Sequence, residues 1–293
     1  MQTPPAERAL SLPQIRSLLR SQAPEFAEGS IHYLSEGWDN ILYRLGDEHL
    51  LRLPRREVAV QLLLNEQQWL PQLAIHLPIS VPVPIHCGRP TELFPWPWSI
   101  SPAFPGEVAA VQAPGPGEAV RLAQFFRSLH QIAPSDAPKN ASRGGQLSAK
   151  VPTTEARLHR LQQRENLPSA LLDIWQDALA APLHTGPARW LHGDPHPKNM
   201  LVHQGTFSAI IDWGDLTAGD VANDLAAFWM LFADRAIRKH ALSTYGVDEA
   251  TYRRARGWAI FFGAILLEVG WQASDPLFVK VGQRTLYHVV QEI

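Results

Sequence analysis

Three oxygen-bearing side chains are spaced along one stretch of the chain in a way that suits a hard cation. Two apolar runs, at 200–202 and 209–211, read as short strands of a hairpin with a glycine between them. Asp194 and Asn199 lie in the polar loop before the first run, and Asp212 follows the second. The hairpin would bring the three side chains together. Carboxylate and amide oxygens, with water and phosphate, are the ligands that Mg²⁺ takes.

The spacing of these residues is that of a kinase catalytic loop. His192 precedes Asp194 by two residues, Asn199 follows it by five, and Asp212-Trp-Gly has the form of the metal-binding Asp-Phe-Gly. In that pattern the first aspartate accepts the proton of the attacking hydroxyl. We therefore predict that Asp194 is the general base and that Asn199 and Asp212 bind Mg²⁺. We expect His192 to hold the loop rather than to act as a base.

A longer phrase, HGDPHPKNMLV followed by IIDWGDLTAGDVANDLA, resembles the aminoglycoside phosphotransferase family of small-molecule kinases. The choline, homoserine and macrolide kinases are relatives of that family. The resemblance implies an α+β, two-lobed protein-kinase-like fold. It has a small antiparallel-sheet N-terminal lobe, a mainly helical C-terminal lobe and the active site between them. It also implies ATP or GTP and Mg²⁺ as cofactors, and the hydroxyl of a small molecule as acceptor. Its specific motifs lie within 190–225.

The first hundred residues read as a small sheet and one helix. Apolar residues between turn signals predict strands at 31–35, 41–45 and 49–53 and a helix at 57–75. By its position in the resemblance, the turn at 36–40 would cover the nucleotide phosphates. It carries one glycine, whereas protein kinases have a glycine-rich run there.

Arg52 ends the third predicted strand, where protein kinases have a lysine that binds the α- and β-phosphates. Arginine stays charged and can donate two hydrogen bonds to phosphate. The run from 51 to 56 is similar to the Leu-Arg-x-Pro-Arg-Arg of macrolide kinases. Glu66 falls on the apolar face of the next helix, where an unpaired carboxylate is costly. We predict an Arg52–Glu66 pair; a solvated Glu66, with Glu57 as the other acid, is the alternative.

A proline-rich segment, Ser101-Pro-Ala-Phe104-Pro-Gly, predicts a stiff linker between the lobes. It follows a predicted edge strand fed by 78–85 and a predicted strand at 94–100. In related kinases the backbone of this hinge binds the adenine edge. The resemblance therefore implies that Ser101 to Phe104 contact the nucleotide base. We place the N-terminal lobe at 1–103 and the C-terminal lobe at 104–293.

The C-terminal part reads as mainly helical. The apolar spacing predicts helices at 118–132, 154–163, 169–180 and 220–232 and helical structure over 252–293. His130, near the end of the first of these, is expected to pack. The loop at 133–149 is rich in Pro, Ser, Asn and Gly and predicts a mobile surface segment. By its position it would form part of the rim of the acceptor site.

Several polar residues near the motifs keep two interpretations. Asp220 suits a helix N-cap, and in related folds it would also brace the catalytic loop. Asp215 is an additional carboxylate near the metal. Glu268 would meet a substrate amine or pair with an arginine. His196 and Lys198 flank the site and could touch phosphate, but no motif gives them a role, and we expect them to lie behind the residues that contact the ligands.

Composition bounds the class of protein. The 293 residues are 45% hydrophobic with net charge −2, so nothing demands nucleic acid or an anionic membrane as partner. Cys87 is the single cysteine, which excludes an intramolecular disulfide, and we expect it to be a small core residue. The start of the chain lacks a signal-peptide pattern and no apolar run has spanning length. We expect a cytoplasmic protein whose partners are a nucleoside triphosphate and a small hydroxylated acceptor.

Three alternatives stay open on the sequence. Gly193-Asp-Pro-His196 also occurs in metallophosphoesterases, although no downstream Asn-His motif follows. A kinase fold that only binds ligands is a second alternative, favoured by the arginine at position 52. The acceptor could be a macrolide, an aminoglycoside or a metabolic alcohol. From Asp220 onward, eight acids face eight Lys and Arg residues, which argues mildly against a polycationic aminoglycoside.

Overall fold

The computed structural model describes residues 5–291 and begins with a mixed sheet-and-helix part. Its five strands all pair antiparallel, in the order β1-β2-β3-β5-β4. The strands and the two accompanying helices, in chain order, are α1 (Leu12–Gln22), β1 (Ile31–Glu36), β2 (Asn40–Leu45), β3 (His49–Pro54), α2 (Val58–Ala74), β4 (His86–Gly88) and β5 (Trp98–Pro102).

The register of β3 decides which way Arg52 points. Leu51 and Leu53 are buried in the core that the sheet forms with α1. Side chains alternate between the two faces of a strand, so Arg52 lies on the opposite face, where α2 carries Glu66. A shift of one residue would bury the guanidinium under α1 instead. The hydrophobic pattern of β3 therefore determines that the guanidinium of Arg52 faces α2.

The rest of the chain is mainly helical, with two small sheets. The remaining elements are β6 (Glu107–Val108), α3 (Glu118–Leu129), α4 (Val151–Gln162), α5 (Ala170–Leu179), β7 (Arg189–Leu191), β8 (Met200–His203), β9 (Thr206–Ile210), β10 (Thr217–Gly219), α6 (Ala222–Leu225), α7 (Ala227–Leu231), α8 (Arg235–Tyr245), α9 (Glu249–Ala273) and α10 (Pro276–Val290). The predicted fold class, an antiparallel sheet part followed by a mainly helical part, is confirmed. The predicted hairpin is also present, as β8 and β9.

Some predicted elements begin, end or divide elsewhere. The strand predicted at 94–100 starts at Trp98, because prolines at 95 and 97 cannot donate to a sheet ladder. The helix predicted at 220–232 is divided into α6 and α7. The stretch predicted as helical from 252 contains a break between α9 and α10 at Ser274 and Asp275, and its last two residues lie outside the described part of the chain. Cys87, predicted to lie in the core, is exposed on β4, the edge strand.

The long helices α9 and α10 pack closely at two glycines. A Cβ on Gly282 would lie 2.5 Å from the backbone nitrogen of Leu267 and 2.7 Å from the carbonyl oxygen of Gly263. The two backbones therefore approach too closely for a side chain at position 282. Within residues 5–291, no helix combines the length and the hydropathy that a membrane span requires.

We predict that Gly282→Ala lowers the free energy of unfolding. The added methyl group must push two helix backbones apart, which costs about 1–3 kcal/mol and outweighs the better helix propensity of alanine. Gly29→Ala is the control, because no atom lies within 4 Å of its added Cβ. Denaturant unfolding of both variants measures the difference; equal stability would contradict the close packing.

Candidate active site

One cleft contains almost all of the predicted site residues. It has a volume of about 980 Å³ and is lined by the sheet part, the linker after β5, the loop before β8 and the helices α9 and α10. The predicted residues that line it are Arg52, Ser101, Phe104, Asp194, Asn199 and Asp212. Glu66 does not line the cleft. It is buried behind Arg52 and contacts that side chain.

The predicted ion pair between Arg52 and Glu66 is present. Arg52 Nη2 donates to Glu66 Oε1 at 2.9 Å, and Nη1 donates to Oε2. Both side chains are buried. Burial by itself would lower the pKa of Arg52, but the adjacent carboxylate outweighs this and raises it. Arg52 therefore presents a fixed, charged guanidinium at the wall of the cleft, and Glu57 takes no part.

The turn after β1 is held in place by two arginines that follow β3. Arg55 Nη1 donates to the carbonyl oxygen of Gly37 at 2.7 Å, and Arg56 Nε donates to that of Trp38 at 3.1 Å. Arg56 Nη2 also contacts Asp39 Oδ1 at 3.0 Å. The turn has a single glycine, and these two arginine side chains hold it in one position at the cleft.

The Asp194 carboxylate lies between two basic side chains. Arg143 Nη2 is 3.1 Å from Oδ1, and His196 Nε2 is 3.3 Å from Oδ2. Burial alone would raise the pKa of Asp194, but His196 and Arg143 outweigh it and hold the pKa well below its usual range. Asp194 is therefore ionised throughout the neutral pH range.

Asn199 and Asp212 have oxygens available for a cation. Asn199 Nδ2 donates to the carbonyl oxygen of Asp194 at 2.9 Å, and its Oδ1 has no partner in the described part of the chain. Ile211 N donates to the carbonyl oxygen of Asn199 at 2.9 Å. Asp212 has no ion-pair or hydrogen-bond partner for its carboxylate among the described residues. The two residues fit Mg²⁺, which completes its shell with water and phosphate. Across residues 5–291, no cluster of three or more His, Cys, Asp or Glu side chains is arranged for a metal.

His192 has the structural role that the sequence predicted. Its ring is buried against Trp213, and Nε2 lies 3.0 Å from the carbonyl oxygen of Ile211. Nδ1 accepts the backbone N–H of Asp194 at 3.2 Å. Because a carbonyl oxygen accepts and an N–H donates, Nε2 carries the proton and the ring is a neutral support.

Asp224 braces the catalytic loop. Its Oδ2 accepts the backbone N–H of His192 at 2.7 Å, and its Oδ1 accepts that of Gly193 at 3.0 Å. His130, predicted only to pack, lies 3.3 Å from Oδ2. Gly193 has φ +88°, and a Cβ there would lie 2.2 Å from the carbonyl oxygen of Asp215. Glycine is therefore needed for the loop to reach Asp224.

Of the two interpretations of Asp220, capping is the one found, and the expectation that it also braces the loop is wrong. Asp220 Oδ1 does accept the backbone N–H of Ala222 at 3.1 Å, as expected of a capping residue. Its Oδ2 accepts from Arg254 Nε at 2.6 Å, so the carboxylate faces α9. Asp224 is one helical turn further along and faces the loop instead. Spacing alone does not distinguish the two aspartates.

The loop at 133–149, predicted to be mobile, is tied to the site. Asn140 Nδ2 donates to Asp215 Oδ1 at 2.6 Å, and Gly144 N donates to Asn223 Oδ1 at 3.2 Å. Arg143 from this loop contacts Asp194 and, at 3.3 Å, Asp215 Oδ2. Both oxygens of Asp215 are thus engaged by this loop. No sequence motif marks Arg143, which lies 51 residues before Asp194 in the chain.

Of the two interpretations of Glu268, the arginine pair is the one found. Arg157 Nε lies 2.7 Å from Oε2 and Arg160 Nη2 lies 2.7 Å from Oε1. Its neighbours Leu266 and Val269 line the cleft, but Glu268 does not. The carboxylate joins α9 to α4.

We predict that Asp224→Asn destabilises the protein in a pH-dependent manner. Burial by itself would raise the pKa of Asp224, but hydrogen bonds and charge from His130 lower it. A carboxyl whose pKa is lowered on folding stabilises the protein above its unfolded pKa of about 3.9 and ceases to do so as the pH falls through the folded value. The expected loss is about 2–3 kcal/mol at pH 7.

Denaturant unfolding of the wild type, Asp224→Asn and Asp173→Asn from pH 7 down to pH 3 measures this effect. Asp173 is exposed on α5 and serves as the control. The gap between wild type and Asp224→Asn should stay constant down to about pH 4 and narrow below it. A gap that did not change with pH would contradict an ionised Asp224.

Comparison with solved structures shows which known proteins share this fold. The structure resembles that of the GDP complex of aminoglycoside 2'-phosphotransferase-IIIa, with TM-score 0.69 and 19% identity, over 97% of this chain and 100% of that one. It also resembles the macrolide 2'-phosphotransferase MphH from Brachybacterium faecium, with TM-score 0.58 and 21% identity, over 94% and 97% of the two chains. At these identities the likeness shows the fold alone.

Two sequence comparisons bear on the family to which the chain belongs. Thiamine kinase from Escherichia coli (strain SMS-3-5 / SECEC) is 30% identical over 115 residues, which cover 36% of this chain and 39% of that protein. The chain thus matches less than half the length of this curated relative. The model of the phosphotransferase enzyme family matches residues 30–258, most of the 293-residue chain. The chain therefore belongs to the phosphotransferase enzyme family.

Proposed function

We propose that this protein transfers the γ-phosphoryl group of ATP or GTP, with Mg²⁺, to a hydroxyl of a small molecule in the cytoplasm. The acceptor that we favour is an antibiotic of the macrolide or aminoglycoside type. The observation that carries the proposal is the joint presence in one cleft of Arg52, Asp194, Asn199 and Asp212. Phosphoryl transfer depends on positioning and charge neutralisation, and these four side chains supply both.

The nucleotide would lie under the sheet part, in the lobe that we place at 1–103. Arg52, held by Glu66, would bind the inner phosphates, and the turn at 36–40 would cover them. Ser101 and Phe104 line the cleft at the linker. Ala103 N already donates to the carbonyl oxygen of Glu48 at 2.7 Å, whereas the N–H of Phe104 has no partner among the described residues. This free N–H is our candidate contact to the nucleotide base.

Asn199 and Asp212 would hold the Mg²⁺ ion, which neutralises phosphate charge when bound. Asp194 would accept the hydrogen bond of the acceptor hydroxyl and take its proton as the new bond to phosphorus forms. Because Arg143 and His196 keep Asp194 ionised, its strength as a base is low. It would also orient the hydroxyl towards the phosphorus atom.

Two alternatives fit less well. A metallophosphoesterase needs several His and Asp ligands around two metals, and the described residues contain no such cluster. A catalytically inactive binding protein would not need the unpaired Asp212 or the free Asn199 oxygen.

A metabolic kinase of the choline, homoserine or thiamine type shares the same chemistry, and the thiamine kinase match is the observation that favours it.

We predict that Asp194→Asn lowers kcat by a factor of about 10² to 10⁴ while nucleotide binding is retained. The amide keeps the size of the side chain but cannot accept the proton. Nucleotide consumption with Mg²⁺, measured with ATP and GTP against a panel of hydroxylated antibiotics and metabolic alcohols, tests this. Asp173→Asn is the matched control on the surface. Full activity in Asp194→Asn would rule out its role as base.

We also predict that the stability and binding roles of Arg52 can be separated. Glu66→Leu leaves a buried guanidinium without its partner and should cost about 3–5 kcal/mol of unfolding free energy. The double variant Arg52→Met, Glu66→Leu should recover most of that loss, because an apolar pair replaces the charges. Nucleotide affinity should nevertheless stay about 10- to 100-fold below that of the wild type.

Denaturant unfolding and calorimetric titration with ATP and GTP measure the two quantities. A double variant that binds nucleotide as the wild type does would show that the pair is structural only.

A further inference from the structure

The carboxylates on the acceptor side of the cleft are all paired with basic side chains. This acceptor subsite is the part of the cleft lined by Asp194, Asp215, Asp275 and the apolar side chains of α9 and α10. Arg143 contacts Asp194 and Asp215, and Lys198 Nζ lies 2.8 Å from Asp275 Oδ2. By contrast, Asp212, on the phosphate side, has no such partner among the described residues.

Arg143 cannot easily leave its two carboxylates. Its guanidinium lies 5.3 Å from the centre of the Phe262 ring, and its side chain is only 17% exposed. The neighbouring Asn140 and Gly144 tie the same loop to Asp215 and Asn223. Its charge is therefore a permanent feature of the floor of the subsite.

Lys198 is held in a similar way at the other side. Its ammonium group lies 4.0 Å from the centre of the Phe278 ring, at a distance typical of a cation–π contact. Asp275 is itself fixed, because its Oδ1 accepts the backbone N–H groups of Leu277 and Phe278 at the start of α10. The Lys198–Asp275 pair thus has a defined position beside the catalytic loop.

The wall between these two pairs is apolar. Phe262, Ile265, Leu266 and Val269 on α9, with Phe278 on α10, line the cleft here. Glu268, the acid of this helix segment, is bound to two arginines of α4. Among the described residues, the subsite therefore offers a broad apolar surface and no carboxylate that is free for an ammonium group.

Resting on the proposed phosphotransferase function, we infer that Arg143 and Lys198 determine the class of acceptor. They pair with the three acceptor-side carboxylates and leave one net negative charge, so that the subsite takes a hydroxylated molecule with a broad apolar face and at most one positive charge. A polycation would bring ammonium groups next to Arg143 and Lys198 without gaining a free acid. Such like-charge contacts cost several kcal/mol in a partly desolvated site.

The test compares kanamycin, a polycation, with a macrolide that carries one amine. Binding of each to the nucleotide-loaded protein is measured by calorimetric titration, and turnover is measured in parallel. We expect the macrolide to bind at least about 100-fold more tightly than kanamycin. Equal binding, tighter kanamycin binding or no binding of either compound would overturn the inference.

Lys198→Gln isolates the contribution of one pair. It frees Asp275, so kanamycin affinity should rise about 10-fold relative to the macrolide. The double variant Lys198→Gln, Asp275→Asn is the matched control, because the freed carboxylate is gone while asparagine still caps α10. It should return to the wild-type preference. A Lys198→Gln variant with unchanged preference contradicts the role of Lys198.

For Arg143→Gln only binding affinity is measured, because Arg143 contacts Asp194 and its loss would also change turnover. It should raise kanamycin affinity in the same direction as Lys198→Gln, and an unchanged preference contradicts the role of Arg143. Failure of the proposed function has a different signature. In that case no acceptor is turned over, whereas the binding preference still supports or overturns the assignment of acceptor class.

Discussion

The buried carboxylate of Asp224 is the constraint on which the catalytic loop depends. It accepts two consecutive backbone N–H groups, from His192 and Gly193, and has His130 beside it. A loop with a positive φ at Gly193 would not hold one conformation without such a partner. His192 then bonds across to the carbonyl oxygen of Ile211, next to Asp212. A single carboxylate thereby fixes the loop that carries Asp194 relative to the end of β9, which Asp212 follows.

Charge in this protein is mostly compensated inside the fold. Arg52 faces Glu66, Arg143 faces two aspartates and Lys198 faces Asp275. Buried ion pairs add little net stability compared with apolar residues, but they fix positions, because breaking one leaves a costly unpaired charge. Asp212 is the exception within the described residues of the cleft, and an unpaired carboxylate is what a cation site requires. The pattern of pairing thus distinguishes Asp212, whose carboxylate has no ion-pair partner among the described residues, from Asp194, Asp215 and Asp275, whose carboxylates are each paired with a basic side chain.

Local patterns predicted the elements and the ordered motifs well. The spacing from His192 to Asp212, the hairpin after Asn199 and the Arg52–Glu66 pair all follow from short-range rules of periodicity and turn chemistry. Element ends were less accurate where proline altered a strand or where a helix divided. The loop at 133–149 was misread because its composition predicts mobility, whereas its order comes from bonds to residues more than 70 positions away.

The sequence by itself determined the fold class, the catalytic-loop motif and the charge on β3, because each depends on residues close together in the chain. Only the tertiary structure decided that Asp224 rather than Asp220 braces the loop. It also decided that Arg143 contacts both Asp194 and Asp215, and that Glu268, on α9, pairs with two arginines of α4. These contacts join segments that lie far apart in the chain, and their partners are chosen by packing. Such choices leave no periodicity or spacing in the linear sequence.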